Sequence, residues 1–74
     1  MDAQQLGARL RAAREAARLT QRDVAARLGI RRPAISEMET GNRAVVALEL
    51  AQMARLYGVS ADALLEAKPT AQSV

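Results

Sequence analysis

The chain has 74 residues, which is enough for one small domain with a single modest core. It contains one aromatic residue and neither Cys nor His, which excludes disulfides and thiolate metal sites and removes the commonest general base. Residues 1–43 carry nine Arg against five acids, a surplus that favours a polyanionic partner, although scattered Arg on helices also fits an ordinary solvated surface.

Several function classes are disfavoured at this point. The sequence contains no run of about 18 apolar residues, which is the length needed to span a membrane. Residues 1–4 also lack the charged and then apolar pattern of a signal peptide. Without His or Cys no nucleophile–base pair can be named. We therefore expect a cytoplasmic protein that is not an enzyme, with no catalytic residue, metal, cofactor or membrane partner.

The apolar residues repeat at the 3–4 spacing of helices, which predicts five helices and no strand. Gly29, Gly41 and Gly58 each follow a helical pattern, as glycines do in C-terminal caps. Thr20 and Ser60 are good N-terminal caps. The predicted helices are residues 4–17, 21–28, 32–40, 47–57 and a short helix after Ser60.

Small aliphatic side chains form the predicted core, and they suit close packing of helices. On the first three helices the inward residues are Leu6, Leu10, Ala13, Ala17, Val24, Ala25, Leu28, Ile35 and Met38. On the last two they are Ala47, Leu50, Met53 and Ala54, with Leu64 and Leu65 carried by the fifth helix.

The most informative stretch is residues 20–41. Here an eight-residue helix is followed by the turn Gly29-Ile30-Arg31 and a second short helix, and Ala25 is small enough for the two to cross closely. This is the arrangement of a helix-turn-helix. The second helix has a polar face short enough to reach into the major groove of DNA, formed by Arg32, Ser36, Glu37 and Thr40.

From Leu6 to Leu65 the sequence resembles the lambda-repressor and Cro type of helix-turn-helix domain, the XRE family. The resemblance lies in the segments Leu6–Arg11, Leu19–Gln21, Val24–Gly29, Ile35–Gly41 and Leu56–Ser60, and the run Arg43–Leu50 is similar to a subgroup of prophage regulators and antitoxins. It implies an all-α, compact five-helix domain, which we place at residues 1–66. The composition of the last residues predicts a flexible tail at residues 67–74. The implied function is sequence-specific binding of double-stranded DNA, as a transcriptional repressor.

The resemblance also implies a role for individual residues. Arg14 and Glu39 match a pair that forms a buried salt bridge between the first and third helices. Gln21 would contact a phosphate and buttress the third helix. The residues implied in base contact are Arg32, Pro33, Ser36 and Glu37, and those implied in phosphate contact are Gln21, Arg31, Thr40, Asn42 and Arg43.

At several positions the chain departs from the family pattern. Arg18 replaces a Gly, so a left-handed helix cap there would be strained or the turn would differ. Arg31 and Val46 replace capping Ser or Thr residues, which leaves two helix starts less well satisfied. Pro33 can offer a base only van der Waals contact. Glu37 either accepts from a cytosine amine or is a solvated acid paired with a nearby Arg.

One recognition helix reads only a few base pairs, so we expect a homodimer that binds two half-sites. The predicted interface is on the fourth and fifth helices, with Leu48, Leu56 and Tyr57 as candidate residues, because these leave the inward stripe and would otherwise expose apolar surface. The alternative is an antitoxin or protein-binding module that presents the same fold to a toxin, a protease or a polymerase subunit. A membrane-active cationic peptide is disfavoured because the apolar stripes are narrow.

Overall fold

The computed structural model describes residues 1–65, and the predicted tail at residues 67–74 lies outside them. It contains five helices: α1 (Ala3–Ala16), α2 (Gln21–Leu28), α3 (Arg32–Thr40), α4 (Ala47–Tyr57) and α5 (Ala61–Leu65). The all-helical prediction is confirmed over this part of the chain, which has no strand. Only α1 departs from its predicted bounds, by one residue at each end.

The helix starts differ in how their backbone groups are satisfied. At the start of α2, Thr20 and Asp23 cap each other: each side chain accepts from the other's backbone N–H, at 3.0 and 2.9 Å. Arg31 makes no side-chain cap to α3. The Val46 side chain cannot accept a hydrogen bond, but the Val46 N–H donates to Glu49 Oε1 at 3.1 Å, so α4 keeps half of a capping box.

The link between α1 and α2 turns through Arg18, which has a φ of 61°. Within residues 1–65 it is the only non-glycine residue in the left-handed region. The turn closes by hydrogen bonds from the Arg18 N–H to Glu15 O and from the Leu19 N–H to Arg14 O. The chain therefore keeps the left-handed turn and accepts the strain of a side chain where glycine would have none.

The core lies between α1, α2, α3 and α4, with α5 packed against α1 and α4. Its most deeply buried side chains are Leu10, Val24, Ile35, Met38 and Met53. Gly7 brings α1 very close to α3, since a methyl group there would overlap the carbonyl oxygens of Met38 and Glu39. This close approach fixes the position of α3 against the rest of the domain.

Some predicted positions are wrong. Ala47 is exposed rather than inward, because it lies in the first turn of α4, before the helix meets its neighbours. Leu65 is 46% exposed, although the adjacent Leu64 is buried. Tyr57 is only 7% exposed and belongs to the core, since it lies four residues after Met53 on the same helix face. It is therefore not an outward-facing interface residue of the folded chain.

In the described part of the chain, none of the helices has the length and apolar character needed to cross a membrane.

Candidate nucleic-acid interface

Helix α3 has one face in the core and one face in solvent. Ile35, Met38 and Glu39 are buried and hold the helix in place. Ser36 is half-buried at the edge of the exposed face. The other residues implied in base or phosphate contact that lie on α3 or at its start are exposed: Arg31, Arg32, Pro33, Glu37 and Thr40. The fold thus brings these residues together on one accessible surface.

The turn between α2 and α3 is built by local chemistry. Gly29 ends α2 with a φ of 72°, and the Ile30 N–H donates to Ala25 O at 3.0 Å. This is the hydrogen bonding of a helix that ends at a left-handed glycine. Because Ala25 is small and 94% of its surface is covered, α3 can pack closely across α2. The two helices are therefore held at a set angle with the start of α3 exposed.

Arg14 and Glu39 form a buried ion pair between α1 and α3. Arg14 Nε lies 2.7 Å from Glu39 Oε2, and Arg14 Nη2 lies 3.1 Å from Glu39 Oε1. The side chains are only 10% and 3% exposed, and Arg14 Nη1 also donates to Leu19 O at 2.9 Å. Hydrogen bonding to Glu39 raises the pKa of Arg14 above its ordinary value. Because so little of either side chain reaches water, each charge is stabilised mainly by the other.

Gln21 connects this buried pair to the exposed surface. Its Nε2 donates to Glu39 Oε1 at 3.0 Å, and its Oε1 accepts from Arg32 Nη1 at 3.1 Å. A carboxylate can only accept and a guanidinium can only donate, so this environment determines which way the Gln21 amide faces. The guanidinium of Arg32 is therefore tied to the core through a continuous chain of polar contacts. Gln21 buttresses α3 by this chain.

An open depression of about 410 Å³ lies at the start of α2. Its lining, within the described residues, consists of Arg14, Leu19, Thr20, Gln21, Arg22 and Arg32. The charge of Arg14 is balanced by Glu39, so Arg22 and Arg32 are the exposed cations of this surface. The partial positive charge at the N-terminus of α2 is offset by the Asp23 carboxylate that caps it, so the arginines supply the positive charge here. This surface, beside the exposed face of α3, is chemically suited to a phosphate group.

The loop after α3 contains a pairing that sequence reasoning missed. Arg43 Nη1 and Nη2 donate to Glu49 Oε1 and Oε2 at 3.2 and 3.0 Å. Hydrogen bonding to Glu49 raises the pKa of Arg43, and hydrogen bonding from Arg43 lowers that of Glu49. The available signal was an acid at the third position of α4, six residues after Arg43. Neighbouring Asn42 is exposed, with its backbone N–H bonded to Glu37 O at 2.9 Å.

The remaining polar residues of α3 have different freedom to bind. The Thr40 hydroxyl donates to the backbone carbonyl of Ser36 at 3.1 Å, so its oxygen is left to act as an acceptor. Pro33 is exposed at the second position of α3, where its ring can touch an apolar group. No cluster of three or more potential metal-ligating residues occurs in residues 1–65.

Comparisons with known proteins agree with this geometry. A family model described as "Helix-turn-helix domain" matches residues 5–67. The crystal structure of the restriction-modification controller protein C.AhdI from Aeromonas hydrophila is similar to this structure, with a TM-score of 0.77 and 27% sequence identity. The alignment covers 84% of this chain and 94% of that one. No curated protein sequence matches the chain significantly.

Proposed function

Because this chain belongs to the helix-turn-helix domain family, in its lambda-repressor and Cro form, we propose that it is a transcriptional repressor that binds double-stranded DNA with α3 in the major groove. The similarity to a restriction-modification controller protein supports a regulatory role. The chain's surplus of Arg over acids in residues 1–43 supports an anionic partner.

One observation carries this proposal: Arg32 is exposed at the start of α3, yet its guanidinium is held by Gln21, which is bonded to the buried Glu39. A long side chain loses rotational freedom when it binds, and this loss is smaller if the side chain is already restrained. Restraining an exposed Arg adds little to the free energy of unfolding, because exposed polar contacts contribute little to folding stability. It is useful in a side chain that must meet a base edge.

The proposed contacts divide into two groups. Arg32 reads a guanine edge with two hydrogen bonds, Pro33 touches a thymine methyl group, and Ser36 and Glu37 reach bases one turn later, where Glu37 accepts from a cytosine amine. The phosphate contacts come from Gln21, Arg31, Thr40, Asn42 and Arg43. The first group sets the preferred sequence, and the second sets position and affinity.

We also propose that the repressor is a homodimer. The start of α4 presents two exposed apolar side chains, Val46 at 55% and Leu48 at 68% exposed, and Leu56 on the same helix is half-buried. Apolar surface of this kind is suited to a protein interface. Tyr57 belongs to the buried core and is not part of this exposed surface.

The test is selection of binding sites from a pool of random DNA duplexes, followed by sequencing. We expect enrichment of an inverted repeat whose half-sites are centred about one helical turn, roughly 34 Å, apart. Binding to the selected duplex should weaken steeply as salt concentration rises. If the folded chain retains no duplex at low salt, the function is not DNA binding, and an antitoxin or other protein-binding module becomes the better interpretation.

A further inference from the structure

Arg43, a proposed phosphate contact, is already bound end-on by a carboxylate of its own chain. Its two Nη atoms meet the two oxygens of Glu49 at 3.2 and 3.0 Å. A paired guanidinium and carboxylate of this geometry closely resembles the contact that an Arg makes with a phosphate. Glu49 therefore occupies the groups through which Arg43 would bind DNA end-on.

Glu49 is the fixed partner of the two. Its Oε1 also accepts the Val46 N–H at 3.1 Å, which ties the carboxylate to the start of α4. Its side chain is 13% exposed, whereas that of Arg43 is 35% exposed. Donation from Arg43, and to a lesser degree from the Val46 N–H, keeps the pKa of Glu49 below its ordinary value, so the carboxylate stays charged at neutral pH.

The pair changes what Arg43 can offer to DNA. Two of the five guanidinium N–H groups are used, so a phosphate can still approach the Nε side, but it meets a negative charge directly behind the guanidinium. Glu37 adds a second acid whose charge acts on Arg43. Together, Arg43, Glu49 and Glu37 carry no net positive charge, so DNA binding at this loop should release few counterions.

We propose that Glu49 competes with DNA phosphate for Arg43 and so limits binding to DNA of unrelated sequence, a role that rests on the proposed function. Sequence-independent affinity comes from cation–phosphate pairs, whereas the proposed base contacts lie on α3, where Arg32 is bonded to the uncharged Gln21 amide and keeps its positive charge. Masking one loop cation therefore lowers background binding while base reading is retained. Affinity for all sequences falls together, so only a site that also provides the base contacts is bound tightly enough to be occupied.

The experiment measures affinity for a duplex of unrelated sequence across a series of salt concentrations. Glu49→Gln keeps an acceptor for the Val46 N–H but removes the charge. It should steepen the dependence of log K on log salt by about 0.9, and tighten binding about fivefold at about 0.15 M salt. Arg43→Ala should weaken binding by a similar factor, because it leaves Glu49 uncompensated. The double variant, with no charge at either position, should bind more tightly than Arg43→Ala and less tightly than Glu49→Gln.

Glu15→Gln is the matched control. Glu15 pairs with Arg11 on the exposed side of α1 at 3.2 Å, so this change also removes one acid and frees one Arg, but away from the loop. Its effect on the salt dependence should be much smaller than that of Glu49→Gln. If Glu49→Gln fails to fold, Glu49→Asp serves instead, because an Asp caps the third position of α2 in this same chain. It should give a smaller increase in the same direction.

The outcomes separate the two proposals. Equal salt dependence for Glu49→Gln and wild type overturns the competition, as does an equal increase for Glu15→Gln. It is also overturned if the double variant binds as weakly as Arg43→Ala alone. In each of these cases the protein still binds duplex and the proposed function stands. If no folded variant binds any duplex at low salt, both proposals fail.

Discussion

Arg32 donates across the turn to Gln21, with Arg32 Nη1 lying 3.1 Å from Gln21 Oε1. The first residue of α2 thereby holds the first residue of α3. Since Gln21 is itself bonded to the buried Glu39, a change in the core can alter the position of an exposed side chain proposed to contact DNA.

Arg32→Ala should relax the preferred binding site at one or two positions of each half-site. A bidentate Arg–guanine contact carries about 1–3 kcal/mol of discrimination between bases, and this is what the variant loses. Selection from a random duplex pool measures the preference directly. Arg43→Ala is the comparison, and it should lower affinity with the preference intact. Retention of the wild-type preference by Arg32→Ala would place the recognition surface elsewhere.

Arg14→Ala should destabilise the domain severely. It leaves the buried carboxylate of Glu39 without its partner, a loss of roughly 3–5 kcal/mol for a fully buried pair, which approaches the whole stability of a small domain. Urea unfolding followed by circular dichroism gives the free energy. Arg11→Ala breaks an exposed pair on the same helix, with side chains 65% and 56% exposed, and should cost at most about 0.5 kcal/mol. Equal stability of the two variants would contradict the prediction.

Arg18→Gly should stabilise the protein. A non-glycine residue in the left-handed region costs roughly 1 kcal/mol, and glycine removes this strain while adding some entropy to the unfolded chain. The melting temperature should rise by a few degrees in a domain of this size. Arg18→Ala removes the same side chain but keeps the strain, so its melting temperature should equal that of the wild type. A lower melting temperature for Arg18→Gly than for Arg18→Ala would count against the strained turn.

Tyr57 should make stability decrease at high pH. Burial raises the pKa of its hydroxyl from 10.0 to about 12, with the charge of Glu39 adding to the effect. The folded state therefore favours the neutral form, and the stability this contributes is complete below pH 10 and is lost as pH rises from 10 to about 12. Denaturant unfolding at pH 9 and pH 11.5 should show this loss in the wild type and not in Tyr57→Phe.

The same variant also tests how the hydroxyl is accommodated. Within the described residues Tyr57 Oη is buried and has no hydrogen-bond partner. Tyr57→Phe should thus be at least as stable as wild type at pH 7, by up to about 1 kcal/mol, because a buried polar group without a partner is unfavourable. A clear loss of stability at pH 7 would mean that the hydroxyl is satisfied in solution.

Leu48→Gln should weaken the proposed dimer without unfolding the chain. The side chain is 68% exposed, so its replacement removes apolar surface from the proposed interface and none from the core. Sedimentation should show a shift toward monomer at a protein concentration where wild type is dimeric. Leu65→Gln, at an exposed leucine on α5, tests whether the interface extends to that helix, and for an interface confined to the start of α4 it should leave the association unchanged. An unaltered Leu48→Gln dimer would move the interface away from the start of α4.

The helix boundaries could be predicted from the sequence because they depend on residues that are close in the chain. Thr20 and Asp23 cap each other across three positions, and Gly29, Gly41 and Gly58 adopt the left-handed conformation that ends their helices. Backbone groups at a helix end must find partners nearby, so a short segment carries enough information to place the end. At Arg18 the sequence left two alternatives open, a strained left-handed cap or a different turn, and the structure has the left-handed one.

Most of the predicted core residues are buried, but the burial of particular side chains was decided only by the tertiary structure. Helix periodicity places Ala47 and Tyr57 on α4, but which of them is covered depends on how α4 lies against α1, α2 and α5, and the burial is the reverse of the prediction. The Arg43–Glu49 pair likewise depends on the path of the loop between α3 and α4. Local hydrogen bonds restrict the backbone conformation of each residue, and their partners lie close by in the sequence. Burial and charge pairing depend on the shape of the whole domain, which no short segment contains.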